Sequence, residues 1–145
     1  MLRNLEVPGR LMANSATQCL KALGITKAQA QVIFMIHELE RPSQENIANA
    51  LHIARTAVRL TLQQLIRGRY VTKVPDGDDK RIHRLHLTEK GLSLLPKIDT
   101  LMEDNNKRAL SVLSEYEKIV FIGLLQKVYE NCLTEFLDNP NPRSK

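Results

Sequence analysis

Tryptophan is absent, and aromatic residues make up only 4 % of the 145 residues. An interior built from this chain must therefore be mostly Leu, Ile, Val and Ala, which suits packed helices better than an aromatic-rich sandwich. Cysteine is scarce too: Cys19 and Cys132 lie 113 positions apart, with no CxxC and no Cys/His spacing that would mark a redox or zinc motif. No stretch approaches the roughly 18 uninterrupted apolar residues that span a bilayer, and "MLRNLEVPGR" lacks a signal-peptide apolar region. The cytoplasm is the expected compartment, and a membrane is not an expected partner. Paired carboxylates, a nucleophile elbow and a phosphate-binding glycine loop are also missing, so an enzyme is the weakest reading and no cofactor is expected. His37 and His52 lie apart without acidic partners at ligand spacing, and His83 and His86 fall in a strand pattern, so no metal site is expected.

What is present is one ordinary domain's worth of chain, with 43 % hydrophobic and 26 % charged residues and a formal charge of +5. The excess charge is concentrated. Arg41 to Gly91 carries ten Lys/Arg against five acids, and the remaining eleven bases and eleven acids cancel. A polyanion partner for the middle segment follows from that distribution.

Helical periodicity covers residues 11–23 and 26–39, the second helix opening at Thr26 after Gly24. Pro42 stops the chain, and Ser43 caps a short helix, "QENIANAL". A further helix runs from Ala54 to Arg67, with Gly68 as its C-cap. Tyr70–Val74 and "RIHRLHL" read as two strands joined through "PDGDD", whose Asp-Gly pair is a hairpin signal. Thr88 caps a long helix in which Pro96 predicts a kink or a false start. Ser114 and Glu117 spell a capping box for a last helix apolar over so much of its circumference that a second subunit is its natural cover.

Two short helices joined by "HIART" and followed by a hairpin form the pattern of a winged helix-turn-helix, whose second helix lies in the major groove. At 100° per residue, Val58, Leu62 and Leu65 face inward, while Thr56, Leu60, Gln63 and Arg67 fall on the opposite face and Arg59 lies toward one flank. Arginine can pair with guanine, Gln63 with adenine, Thr56 with a phosphate or base edge, and Leu60 with a thymine methyl or a protein surface. In the hairpin, Asp76 and Gly77 make the turn, and nearby carboxylates orient an arginine. Lys80 and Arg81 then face a minor groove whose negative potential attracts them.

From "ITKAQAQVI" through "SQENIANALHIARTAVRLTLQQLIRGRYV" to "PDGDDKRIHRLHLTEKG", about residues 25–95, the chain resembles the MarR (multiple antibiotic resistance regulator) family of winged-helix transcription regulators. The resemblance implies a mainly α fold with a small β-hairpin wing, an obligate homodimer with interlocked terminal helices, and double-stranded DNA with a palindromic operator as partner. By matching position it implies that Arg55, Thr56, Arg59, Leu60 and Gln63 face the major groove, and that Asp79 and Arg81 are paired in the wing. Two positions depart from the family pattern. Ala54 stands where a capping polar residue is usual, and Leu60 where a polar or basic one is common, so base preference does not carry over.

The resulting expectation is a single domain over 1–145: a DNA-binding region at 26–90, dimerisation helices at 1–25 and 91–138, and a flexible tail at 139–145. Its expected function is a homodimeric repressor; the resemblance further implies relief by a small-molecule effector in a crevice between the dimer and DNA-binding regions, which no residue of the sequence identifies. One alternative is a winged helix that binds protein through Leu60. Another is a redox-sensing regulator based on Cys19, although "TQCLKALG" offers it no stabilising tyrosine and favours a packing role.

Overall fold

The computed structural model describes residues 6–138. Its elements in chain order are α1 (Glu6–Lys21), α2 (Lys27–Glu38), α3 (Gln44–Leu51), α4 (Arg55–Arg67), β1 (Val71–Pro75), β2 (His83–Leu87), α5 (Glu89–Leu92), α6 (Leu95–Ala109) and α7 (Glu115–Asp138). This mainly helical chain with one antiparallel hairpin has the fold class expected of the sequence. The chain divides into two compact units after Asn105. The expected tail, 139–145, lies outside the described residues.

The first unit closes around an aliphatic core. Leu20 of α1, Val32, Ile33 and Ile36 of α2, Ile47 of α3, Val58 and Leu65 of α4, Val71 of β1, Leu85 of β2 and Ile98 of α6 are all buried, while Phe34 and Tyr70 pack at its edge. Burying each such side chain contributes about 1.5–3 kcal/mol before chain entropy is subtracted. The absence of tryptophan is thus met by interdigitated branched side chains.

Polar caps set the element ends. Thr26 accepts from the Gln29 amide at 3.2 Å while Gln29 Oε1 accepts from the Thr26 amide at 2.8 Å, a reciprocal box that starts α2. Ser43 and Asn46 do the same for α3, at 3.2 and 2.9 Å. α3 stops at His52, which takes a left-handed φ of 51° and turns the chain toward α4.

Several local expectations are corrected. α1 begins at Glu6 rather than residue 11, because Pro8 in a first helical turn gives up only an amide that has no intrahelical acceptor. The long helix expected after Thr88 is two: Thr88 caps the short α5, and the chain restarts at Leu95 with Pro96 in the first turn of α6. Gly68 is the C-cap of α4, as expected; its conformation is right-handed, φ −73°, and Arg69 takes the left-handed one, φ 60°. Glycine is needed at 68 for space, since a Cβ there would stand 2.8 Å from the Tyr70 ring.

The second unit contains all of α7, which starts from the Ser114–Glu117 box: the Ser114 amide donates to Glu117 Oε2 at 2.8 Å and the Glu117 amide to Ser114 Oγ at 3.3 Å. Ile119, Phe121, Leu124, Leu125, Val128 and Tyr129 are all exposed along it.

Candidate nucleic-acid interface

The inward and outward faces of α4 separate as 100° periodicity requires. Val58, Leu62 and Leu65 are buried, and Thr56, Arg59, Leu60, Gln63 and Arg67 are exposed. Leu60 is 55 % exposed, an apolar side chain with no core to enter.

The N-terminal end of α4 is held from outside the helix. Ala54 supplies no side-chain cap and the first turn contains no acid. Instead Gln44 Nε2 donates to the Arg55 carbonyl at 3.2 Å, and the Glu45 carboxylate pairs with the Arg55 guanidinium. Both side chains reach across from the start of α3. Periodicity along one helix could not reveal these contacts; the only signal is an isolated acid ten residues from a base across a tight turn.

The C-terminal end of α4 is clamped by the segment that leaves the wing. Thr88 Oγ1 donates to the Arg69 carbonyl at 2.7 Å, and Lys90 Nζ donates to the Gly68 carbonyl at 2.8 Å. The same ammonium lies 4.1 Å above the Tyr70 ring. Gly91 permits this closure, because a Cβ there would fall 2.2 Å from the Tyr70 carbonyl oxygen. The carbonyls that a helix end leaves without intrahelical partners thus find cationic and hydroxyl donors. This gives "LTEKG" a physical role.

The wing strands pair in antiparallel register from Val71 with Leu87 to Pro75 with His83, leaving Asp76–Ile82 as the loop. The reversal is therefore not a two-residue Asp76-Gly77 turn. Gly77 has open space around it and no left-handed φ, so the conformation does not depend on glycine there. Asp76 organises the loop: its Oδ1 accepts from the amides of Asp78 and Asp79 at 3.0 and 3.2 Å, and its Oδ2 pairs with the Arg84 guanidinium across the hairpin. The Arg84 hydrogen bond, with the two amides helping, lowers the Asp76 carboxyl from 3.8 to about 2.

Asp79 accepts from the Arg81 backbone amide at 2.9 Å, and its carbonyl accepts from the Ile82 amide at 2.9 Å. The Asp79–Arg81 link expected of the wing is thus to the backbone, and the side-chain ion pair of the loop is Asp76 with Arg84, which the sequence reading had not singled out. Lys80 and Arg81 are exposed at the tip. Between the wing and α3 lies a recess of about 270 Å³, to which Gln44, Glu45, Lys73 and Arg81 contribute.

Cys19 is half-buried, with its thiol 3.8 Å from Oδ1 of the buried Asn105, which also accepts from Ser15 Oγ at 2.5 Å. Cys132 is exposed. Among the described residues no three His, Cys, Asp or Glu are grouped so as to hold a metal ion, and no helix is long and apolar enough to cross a membrane.

The MarR family model matches residues 23–82, from the end of the α1–α2 turn through the wing loop. Along 131 residues, 90 % of this chain and 87 % of the relative, the sequence is 28 % identical to an uncharacterized HTH-type transcriptional regulator, YybA, of Bacillus subtilis (strain 168). Among solved structures, the transcriptional regulator SlyA superposes with a TM-score of 0.82 at 25 % identity, covering 93 % of this chain and 95 % of that one. A mutant MarR from E. coli, complexed with operator DNA, shares the fold with a TM-score of 0.79 at 23 % identity over 87 % of this chain and 91 % of that one. YybA and SlyA are both described as transcriptional regulators. The family match over the helix-turn-helix and wing, the near full-length similarity to an HTH-type regulator and the common fold make this chain similar to the MarR family of winged-helix transcription regulators.

Proposed function

We propose that the chain acts as a homodimeric, sequence-specific repressor of a palindromic DNA operator. The observation that carries the proposal is the geometry of α4: a helix buried on one side by Val58, Leu62 and Leu65 and clear of the protein on the other, with a basic wing tip on the same unit. Arg55, Thr56, Arg59, Leu60 and Gln63 are the residues proposed to enter the major groove, with Arg67 neutralising phosphate. Lys80 and Arg81 are assigned to the adjacent minor groove, on a loop stiffened by Asp76 and Asp79. The DNA-complexed MarR of the same fold supports this reading.

Dimerisation is proposed through the terminal helices, within 1–25 and 91–138. It is supported by the apolar side chains that α7 exposes and by exposed Val7, Leu11 and Met12 of α1, which a second copy would cover. Two recognition helices then address half-sites about 34–36 Å apart. Relief by a small ligand and a cytoplasmic location belong to the same reading. A largely apolar recess of about 450 Å³ beside Leu23, Pro96 and Leu101 offers the ligand a place in the first unit.

The deciding experiment is an anisotropy titration on DNA from upstream of the gene and on a scrambled duplex, each from about 50 to 200 mM salt. The expected result is salt-sensitive binding with a preference of about 10³-fold or more for the upstream DNA. Weak and equal binding to both, or binding insensitive to salt and to Arg81→Ala, would overturn it in favour of a protein-binding module using Leu60.

A further inference from the structure

We propose that Glu45 is a positioning residue for DNA readout, holding the Arg55 guanidinium in one orientation and trading sequence-independent attraction for base preference. The inference rests on the DNA-binding reading above and deepens it. Glu45 is the sole acid in the sequence between Arg41 and Asp76, a stretch that holds Arg55, Arg59, Arg67, Arg69 and Lys73. It stands at the second position of α3, where its carboxylate meets the guanidinium of the first residue of α4. The Arg55 and Glu45 side chains are 67 % and 55 % exposed, and an ion pair so open to water adds little to the stability of a fold.

The geometry has a more specific consequence. The Gln44 amide fixes the Arg55 backbone and the Glu45 carboxylate fixes the far end of the same side chain, so both ends are held from α3. A guanidinium has five N–H donors on a planar fork. One edge given to a carboxylate leaves the others for a base edge or a phosphate, in a direction already chosen. The negative charge of Glu45 simultaneously repels the phosphate backbone and weakens binding to any sequence.

The test uses the full chain and the duplex it enriches from a randomised library. Affinity for that duplex and for a scrambled one is measured for the wild type, Glu45→Gln, Glu45→Asp, Arg55→Ala and the double variant Glu45→Gln/Arg55→Ala. Removing one repelling charge in Glu45→Gln should tighten scrambled binding about threefold. The preference for the enriched duplex should fall about tenfold, at the same base pair of each half-site where Arg55→Ala loses discrimination. Glu45→Asp, which keeps the charge on a shorter arm, should lose preference without tightening scrambled binding. In the Arg55→Ala background, Glu45→Gln should leave preference unchanged.

An unchanged preference in Glu45→Gln, equal losses on both duplexes, or a loss that persists without Arg55 would each overturn the proposal. If the wild type enriches no sequence, the DNA-binding reading falls and this inference with it. Enrichment indifferent to Glu45 sinks the inference alone.

Discussion

The two ends of α4 are built by opposite strategies. At its C-terminal end the hydroxyl of Thr88 and the ammonium of Lys90 donate to backbone carbonyls, and the backbone of Gly91 approaches so closely that no side chain fits. At its N-terminal end there is no cap, no acid in the first turn, and only an amide and an exposed carboxylate reaching over from α3. One end is fixed by two side chains donating to backbone carbonyls and by a glycine in backbone contact. The other has one such side-chain-to-backbone bond and an exposed ion pair between two side chains, either of which substitution can alter.

The first way to break this comparison is Gly91→Ala. Its Cβ would collide with the Tyr70 carbonyl oxygen, so the clamp must open, and urea denaturation should show a loss of about 3 kcal/mol. A loss below about 1 kcal/mol would mean that the C-terminal end is not rigid. Lys90→Met comes next: it retains the stem over Tyr70 but removes the donor to Gly68, and should cost about 1 kcal/mol. Arg55→Ala is the contrasting case, with an expected stability change of about 0.5 kcal/mol or less by the same assay, because its ion pair is exposed.

The wing sharpens the contrast through pH. The Asp76 carboxyl is lowered from 3.8 to about 2 by Arg84 and the loop amides, so its contribution to wing stability is fully present above about pH 4. It is lost as pH falls through the folded value near 2, where the carboxyl takes up its proton. Carboxyl chemical shifts followed from pH 6 to 1.5 should titrate in that window, and amide exchange at Asp78 and Asp79 should be faster in Asp76→Asn even at pH 7. A titration at the ordinary value would show that the Arg84 pair does not form in solution.

Local patterns made much of this architecture legible. Thr26, Ser43 and Ser114 announce their helices because a cap needs only a residue and its neighbours three places on. The buried stripe Val58, Leu62 and Leu65 and the exposed face opposite it follow from helical period alone. The failures share a different physics. The Glu45–Arg55 and Asp76–Arg84 pairs cross a turn and a hairpin, so partners are set by tertiary approach, and many acids and bases in the sequence have equivalent spacing. Gly68 is the C-cap that its identity suggests, but what it supplies is space beside Tyr70, while Arg69 takes the left-handed φ. The break between α5 and α6 was legible only as a kink or false start at Pro96, since proline in a first turn and proline in an interior look alike before the helix start is known.

The outward face of α4 has a consequence for the history of such a chain. Thr56, Arg59, Leu60 and Gln63 are all exposed, while the residues that anchor the helix are Val58, Leu62 and Leu65. Exchanges at the first set leave the folding free energy nearly untouched, whereas exchanges at the second open cavities. Mutational drift can therefore rewrite the exposed letters one at a time without passing through an unfolded ancestor. Paralogues descended from one gene can keep the same scaffold and diverge in what that surface recognises.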